Sequence, residues 1–223
     1  MLRFAEEIML LLLEHEGEKF LRVPDLSLRY ALAGGVLMDL AMEDRIDTDL
    51  DRLILVDATP VGDDILDPVL ADIASAPETR DARYWVERAA ERAGETRTAA
   101  IGRLIARGIL ERREDRFLWV LRARRYPVVD GTVEVEVRLR ILEVLFEEVV
   151  PTPRDVVIIC LADACGLFPE LLPAHRYRQA LGRIELVRGM DLIGREVLAA
   201  ISDIWRIGRA LPGEPRPREA PGG

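Results

Sequence analysis

RTAAIGRLIARGILERREDRFLWVLRARRYP, residues 97–127, is the stretch whose reading sets the fold class. It divides into a helix, a glycine break and a hairpin. Ile101, Leu104 and Ile105 recur at helical spacing behind Thr98 and Ala99, and Gly108 stops the helix. Ile109-Leu110 begins an extended run, Glu114-Asp115 supplies a turn, and Phe117-Leu118-Trp119-Val120-Leu121 reads as a strand. The stretch holds nine arginines (Arg97, Arg103, Arg107, Arg112, Arg113, Arg116, Arg122, Arg124, Arg125) against Glu111, Glu114 and Asp115, about +6 locally in a chain of formal net charge −9. A positive island in an acidic protein is the functional lead that charge provides.

The same plan occurs 64 residues earlier. Leu37 matches Ile101, Leu40 matches Leu104, Ala41 matches Ile105 and Ile46 matches Leu110. Leu53, Leu55 and Val56 match Phe117, Trp119 and Val120, so Asp44 to Val56 is expected to form a first hairpin. Two copies are too few for a solenoid. A duplicated pair and one supersecondary unit used twice both remain open.

Around these units the chain reads as helices: Phe4 to His15, Leu26 to Glu43, Ile65 to Ala74, Ala82 to Ala93, Val133 to Val149, Val156 to Ala164, Ala174 to Val187 and Met190 to Arg206. Gly34-Gly35 in mid-helix costs about 1 kcal/mol per residue relative to alanine, and close helix packing is the expected compensation. Asp63 or Asp64 is placed as the cap of the third helix, and Gly94-Glu95-Thr96 as the break before residue 97. Thr152-Pro153 opens the very apolar 156–164 helix, expected at the centre of the core. In the 133–149 helix Glu134 and Arg138 are expected to face water. The fold class is mainly α, a helical bundle with two small β-hairpins, one projecting. Residues 1–207 are expected to form a single domain, and the Pro/Gly-rich residues 208–223 a disordered tail.

Composition narrows the function classes. The 223 residues are 49% hydrophobic and 32% charged, which suits a globular protein. The longest apolar run, Ile8 to Leu13, is far short of the roughly 20 residues of a membrane span, and Glu6, Glu7 and Glu14 beside it suit no secretory signal. A cytoplasmic location, peripheral at the inner face of a membrane, is therefore expected. Cys160 and Cys165 are read as a reduced, buried pair, and His15 and His175 lie in no ligand-spaced cluster, so no metal is expected. Lys19 is the only lysine, so phosphate contacts fall mainly to planar guanidinium groups. No P-loop, GxGxxG, GxSxG or HExxH occurs, and neither an enzyme nor a cofactor is expected. A helix followed by an arginine-rich hairpin also fits a winged helix. The acidic total and the lack of a second recognition-type helix argue against nucleic acid.

Four stretches carry a family likeness: Phe4-Ala5-Glu6-Glu7-Ile8-Met9-Leu10-Leu11-Leu12, Tyr30 to Ala41 with its Gly34-Gly35, Asp44-Arg45-Ile46, and Thr59-Pro60-Val61-Gly62-Asp63-Asp64-Ile65-Leu66-Asp67. Leu104 to Leu110, Phe117-Leu118 and Tyr126-Pro127 continue it. In order and spacing the chain, over roughly residues 2 to 205, resembles the bacterial branch of the Golgi phosphoprotein 3 family. The resemblance implies a helical bundle with a projecting hairpin that supports self-association. For eukaryotic members it implies peripheral binding to phosphatidylinositol 4-phosphate and an adaptor role for cytosolic tails of Golgi glycosyltransferases. Their lipid pocket uses a Trp, an Arg in the Gly-bearing helix, and two Arg near the start of the helix at residue 97. These positions fall here on Pro24, Ala33, Gly94 and Arg97, so Arg97 alone keeps the family residue. Arg29, four residues before Ala33, supplies a guanidinium on the same helix face.

The expectation is a non-enzymatic peripheral membrane or adaptor protein for phosphoinositide-like or other anionic phospholipid head groups. Arg97, Arg29, Arg122, Arg124 and Arg125 are the lipid-binding candidates. Phe117, Trp119, Tyr126 and Pro127 are the candidates for a homo-oligomer through the hairpin, and cytosolic protein tails are candidate partners. The alternatives are a module that self-associates through the hairpin without lipid, and a winged-helix-like nucleic-acid binder.

Overall fold

The computed structural model describes residues 1–14, 19–49, 52–114, 124–147, 149–190 and 195–210. The first helix, α1 (Phe4–Leu11), is buried along its whole length, Glu6 and Glu7 included. It ends four residues before the expected His15 because the chain turns back on itself. Leu13 bridges Phe20, Leu21 N–H donates to the Leu12 carbonyl at 2.6 Å, and Glu14 N–H donates to the Lys19 carbonyl at 2.8 Å. These bonds satisfy polar groups that a continued helix would have used.

Helix α2 (Asp25–Met42) follows, then the antiparallel pair β1 (Ile46–Thr48) and β2 (Leu53–Leu55), with Ile46 opposite Leu55. Next come α3 (Asp67–Ala74), α4 (Ala82–Glu91) and α5 (Ala93–Ala106). Strands β3 (Arg113–Glu114) and β4 (Arg124–Arg125) pair antiparallel, and α6 (Gly131–Phe146), α7 (Pro153–Ala164), α8 (Phe168–Leu171), α9 (Ala174–Arg188) and α10 (Arg195–Ala210) complete the described elements. The mainly α class and the first hairpin are as expected, and the short α8 is added. The second strand pair departs from the reading: Glu114, expected in the turn, lies in β3 opposite Arg124, because the ladder pairs Arg113 with Arg125, and the expected strand Phe117 to Leu121 lies outside the described residues. None of the described helices is long and apolar enough to cross a membrane.

Several boundaries differ, each for a local reason. Gly94-Glu95-Thr96 form the first turn of α5 rather than a break, and Arg92 alone separates α4 from α5. Helix α3 begins at Asp67, two residues later than expected. Asp63 caps the preceding turn by accepting from Ile65 and Leu66 N–H at 2.9 and 3.2 Å, while the Asp67 carboxylate gathers the N–H groups of Val61, Gly62 and Asp63 at 2.8–3.0 Å. Helix α10 is described from Arg195 to Ala210; residues 191–194 before it and 211–223 after it lie outside the described residues.

The core is built around α2, which packs against α1, α4, α5, α7 and α10. Every residue from Ala31 to Leu40 is buried. Gly34 is what lets three helices meet: a Cβ there would lie 2.5 Å from both Ile201 Cδ1 of α10 and Leu161 Cδ2 of α7. A Cβ on Gly35 would lie 3.0 Å from Phe4 Cβ of α1. Helix α7 is the expected interior helix, opened by a Thr152–Asp155 capping box and buried from Asp155 to Ala162. Cys160 and Cys165 are free and buried, and burial pushes the Cys165 thiol above its ordinary range.

Charges are buried with this core, and each is paired. Glu7 accepts from Arg154 at 3.0 Å and Arg140 at 3.1 Å, and Asp155 pairs with Arg140 and Thr152. Asp39 accepts Phe4 N–H at 2.7 Å and lies 3.5 Å from Arg154. Arg154 also donates to the Leu2 carbonyl and sits 4.1 Å over the Phe4 ring. Burial pushes the Asp39 carboxyl up to about 7, against the opposing pull of Phe4 N–H and Arg154. Glu134 and Arg138, expected in water, pair with each other at 2.5 Å, and Arg138 donates to the Leu11 and Leu13 carbonyls. It thereby takes up acceptors at the end of α1 that lie too deep for bulk water.

Candidate functional site

Helix α5 has two charged faces with different fates. On one, Arg103 binds Asp63 at 2.5 Å and also Asp64, and Arg3 reaches the same Asp63 at 2.8 Å and Glu43 at 2.5 Å. Burial acts to raise the Asp63 carboxyl, but the Arg103 guanidinium, Ile65 N–H and Arg3 outweigh it and hold it at about 2. Arg107 lies 3.5 Å from buried Glu6 and donates to the Met1 carbonyl. Part of the positive island therefore neutralises acids inside the fold.

The other face of α5 presents Gly94, Arg97, Thr98, Ile101, Gly102 and Ile105 to a groove of about 590 Å³. Nothing lies within 4 Å of where a Cβ would stand on Gly94 or Gly102, so the helix backbone is open as a floor. Lys19 and Phe20 also line it, as do Arg112 and Tyr126, which flank the same end of the antiparallel β3–β4 pair. The Phe20 and Tyr126 rings meet with centroids 5.3 Å apart, and the Arg97 guanidinium lies 5.8 Å from the Phe20 centroid. Thr98 Oγ1 donates to the Gly94 carbonyl at 2.8 Å.

Three cations thus line the groove, and its described lining holds no carboxylate. Other hollows differ. The one between α7 and α10 sets Asp203 beside Arg188 and Arg195, and the one near α4 sets Asp49, Asp81, Glu196 and Asp203 beside Arg52 and Arg83. Those hollows mix both signs of charge, whereas the charged side chains in the described lining of the α5 groove are cations, which suits a phosphate or other anion.

The sequence-selected residues divide. Arg97 is exposed and lines the groove. Arg29 lies outside the lining, with its Nε donating to the Ala90 carbonyl at 3.3 Å. Arg125 is in β4 opposite Arg113, and Arg124 is placed by its backbone opposite Glu114. Arg122, Phe117 and Trp119 lie outside the described residues. Tyr126 belongs to the groove wall, and the Pro127 carbonyl accepts Glu111 N–H at 2.9 Å beside the strand pair. Of the family pocket positions, Gly94 and Arg97 fall in the groove, while Ala33 is buried in α2 at 2% exposure. Reading the sequence for site residues missed Lys19, Phe20 and Arg112. Their approach to α5 is a tertiary event, and the one local signal was that Lys19 is the sole lysine.

Comparison with known families gives one match: the family model described as Golgi phosphoprotein 3 (GPP34) covers residues 4–204. No curated protein matches the chain.

Proposed function

The chain belongs to the Golgi phosphoprotein 3 family, and from that premise we propose that it is a non-enzymatic peripheral adaptor whose α5 groove binds anionic phospholipid head groups. The observation that carries this reading is the convergence of Lys19, Arg97 and Arg112 on a groove whose described lining has no carboxylate. Arg97 makes the central contact, a planar guanidinium matched to two phosphate oxygens. Lys19 and Arg112 take the roles that the changed family positions no longer fill. Arg29 and the hairpin arginines Arg122, Arg124 and Arg125 add to the field that draws the molecule to a negative surface. The domain that does this spans residues 1–207, and its site is the cytoplasmic face of a membrane.

Co-sedimentation with vesicles of phosphatidylcholine, with and without an anionic lipid, at low and high salt, tests the reading. Binding is expected only with the anionic lipid and is expected to weaken with salt. Each cation near an anionic surface is worth about 1 kcal/mol, so Arg97→Ala is expected to weaken binding about fivefold and the Lys19→Ala/Arg97→Ala/Arg112→Ala triple variant about a hundredfold. A parent protein that stays in the supernatant with acidic vesicles at low salt would sink the proposal.

A further inference from the structure

Four arginines among the described residues lie over aromatic rings, and three of them also donate to an oxygen of the fold. Arg154 sits 4.1 Å over the Phe4 ring while its N–H groups donate to Glu7 at 3.0 Å and Asp39 at 3.5 Å. Arg80 lies 5.2 Å over Tyr84 and pairs with Glu78 at 2.5 Å. Arg176 lies 3.9 Å over Phe146 and donates to Gln179 Oε1 at 3.5 Å. The fourth, Arg97, lies 5.8 Å over Phe20 and lines the open groove, with no acceptor oxygen among the described residues. The ring contact itself uses no donor, because the cation is held by the electron-rich face and the N–H groups project from the edge of the guanidinium plane.

Phe20 is a fixed platform for this contact. Its backbone bridges Leu13, flanked by the bond from Glu14 N–H to the Lys19 carbonyl at 2.8 Å and the bond from Leu21 N–H to the Leu12 carbonyl at 2.6 Å. Its ring meets Tyr126 with centroids 5.3 Å apart, and both rings pack against the core. Phe20 is half-buried, whereas Arg97 is exposed.

We infer that Phe20 is the positioning residue of the groove, holding the Arg97 guanidinium by its face so that its N–H edge is left for two oxygens of a bound phosphate. The inference rests on the anion-binding reading of the groove and deepens it. An exposed arginine gives up rotamer freedom when it grips an anion. One already held against a ring has given up part of it beforehand, so more of the contact appears as affinity. Arg154 shows the completed arrangement within the same fold, a guanidinium over a phenylalanine ring with its N–H groups on carboxylate oxygens. The anion that completes Arg97 is accordingly one with at least two oxygens side by side, as in a phosphate. Lys19, a point charge, adds attraction without that geometry.

The test is a double-mutant cycle on the full chain. It is read by the thermal midpoint against inorganic phosphate at constant ionic strength, and by co-sedimentation with vesicles of phosphatidylcholine with or without phosphatidylserine. Phe20→Leu removes the ring and keeps an apolar side chain; it is expected to weaken binding about threefold, less than Arg97→Ala. Phe20→Tyr restores a ring and is expected to recover most of that loss. Phe20→Leu/Arg97→Ala is expected to bind no more weakly than Arg97→Ala, because a positioning residue adds nothing once the group it positions is gone. Tyr126→Leu removes the ring that Phe20 leans on and is expected to weaken binding about twofold, again only while Arg97 is present. It carries the test if Phe20→Leu does not fold. Coupling with the anionic vesicles alone assigns the anion to a lipid head group, and with free phosphate alone to a soluble phosphate; the positioning role holds in either case. If Phe20→Leu and Tyr126→Leu bind like the parent while Arg97→Ala is weakened, the positioning role is wrong and the head-group reading stands. If the Phe20→Leu and Arg97→Ala losses multiply in the double variant, Phe20 acts apart from Arg97 and the proposal is overturned. A parent that neither responds to phosphate nor sediments with anionic vesicles sinks both.

Discussion

The two helix–hairpin units are built alike and placed differently. Both helices end in a left-handed residue at the same offset, Asp44 at φ 55° and Gly108 at φ 71°. In both, the next N–H reaches back five residues, Arg45 to the Leu40 carbonyl at 2.9 Å and Ile109 to Leu104 at 3.0 Å. Both hairpins return to the same point, Val56 N–H on Arg45 and Val129 N–H on Ile109, each at 2.9 Å. Yet α2 packs against α1, α3, α4, α5, α7 and α10, whereas α5 is covered on one side and open on the other. The difference shows how one local design serves as a core strut or as the open floor of a groove, depending on what packs around it. At matched positions α2 carries Ala33 and Asp39, while α5 carries Arg97 and Arg103.

The sharpest way to break this comparison is at the buried charges. Arg154→Ala leaves Glu7 and Asp39 short of a cation in the interior and is expected to cost about 3–5 kcal/mol in urea unfolding. Arg103→Ala is expected to cost only about 1–2 kcal/mol, because Asp63 keeps Arg3 and two backbone N–H groups. Equal losses would show that α2 and α5 do not differ in how they hold charge.

Protonation of Asp39 probes the same contrast. Its carboxyl stands at about 7 in the fold against an ordinary 3.8, so between those values the native state holds a proton that the unfolded chain lacks. This residue therefore adds stability as pH falls from 7 toward 4, and its penalty is complete above 7. Asp39→Asn is expected to remove that contribution, so the stability difference between variant and parent changes by up to about 1.4 kcal/mol per pH unit across that window. Asp63 acts in the opposite sense: held at about 2, it contributes stability above 3.8 that is lost as pH falls through 2. A variant-minus-parent difference that stays flat from pH 4 to 7 would contradict the Asp39 assignment.

Volume gives the next effect. Gly34→Val, forced against Ile201 and Leu161, is expected to cost about 3 kcal/mol, while Gly102→Ala, facing open space, is expected to gain about 0.5–1 kcal/mol in chemical denaturation. The smallest effect sits at the shared helix end. Gly108→Ala is expected to cost about 1 kcal/mol, and Asp44→Gly to gain about 0.5 kcal/mol by relieving a left-handed side-chain residue. Thermal melts of the pair would show whether the two ends are equivalent.

Much of the fold was legible because the signals were local. Apolar spacing marked the helices, Gly108 and Asp44 marked their ends, and the Thr152 cap marked α7. The early stop of α1 and the fusion of residues 94–96 into α5 were not legible. Both depend on backbone bonds to partners outside the local pattern or on helix propagation through a permissive glycine. Of the site, Arg97 was legible through the family likeness, while Arg29 was drawn by helix periodicity toward a pocket position that is in fact buried.

The amino-acid order alone determined the helix–hairpin plan, its repetition and the family, since each rests on short-range periodicity, turn residues and ordered motifs. The tertiary structure decided which arginines are spent on interior acids and which line a groove. It also brought Lys19, Phe20, Arg112 and Tyr126 to one helix face. The physical reason is that whether a charge is neutralised inside the fold or lines an open groove is settled by contacts between residues far apart in the chain.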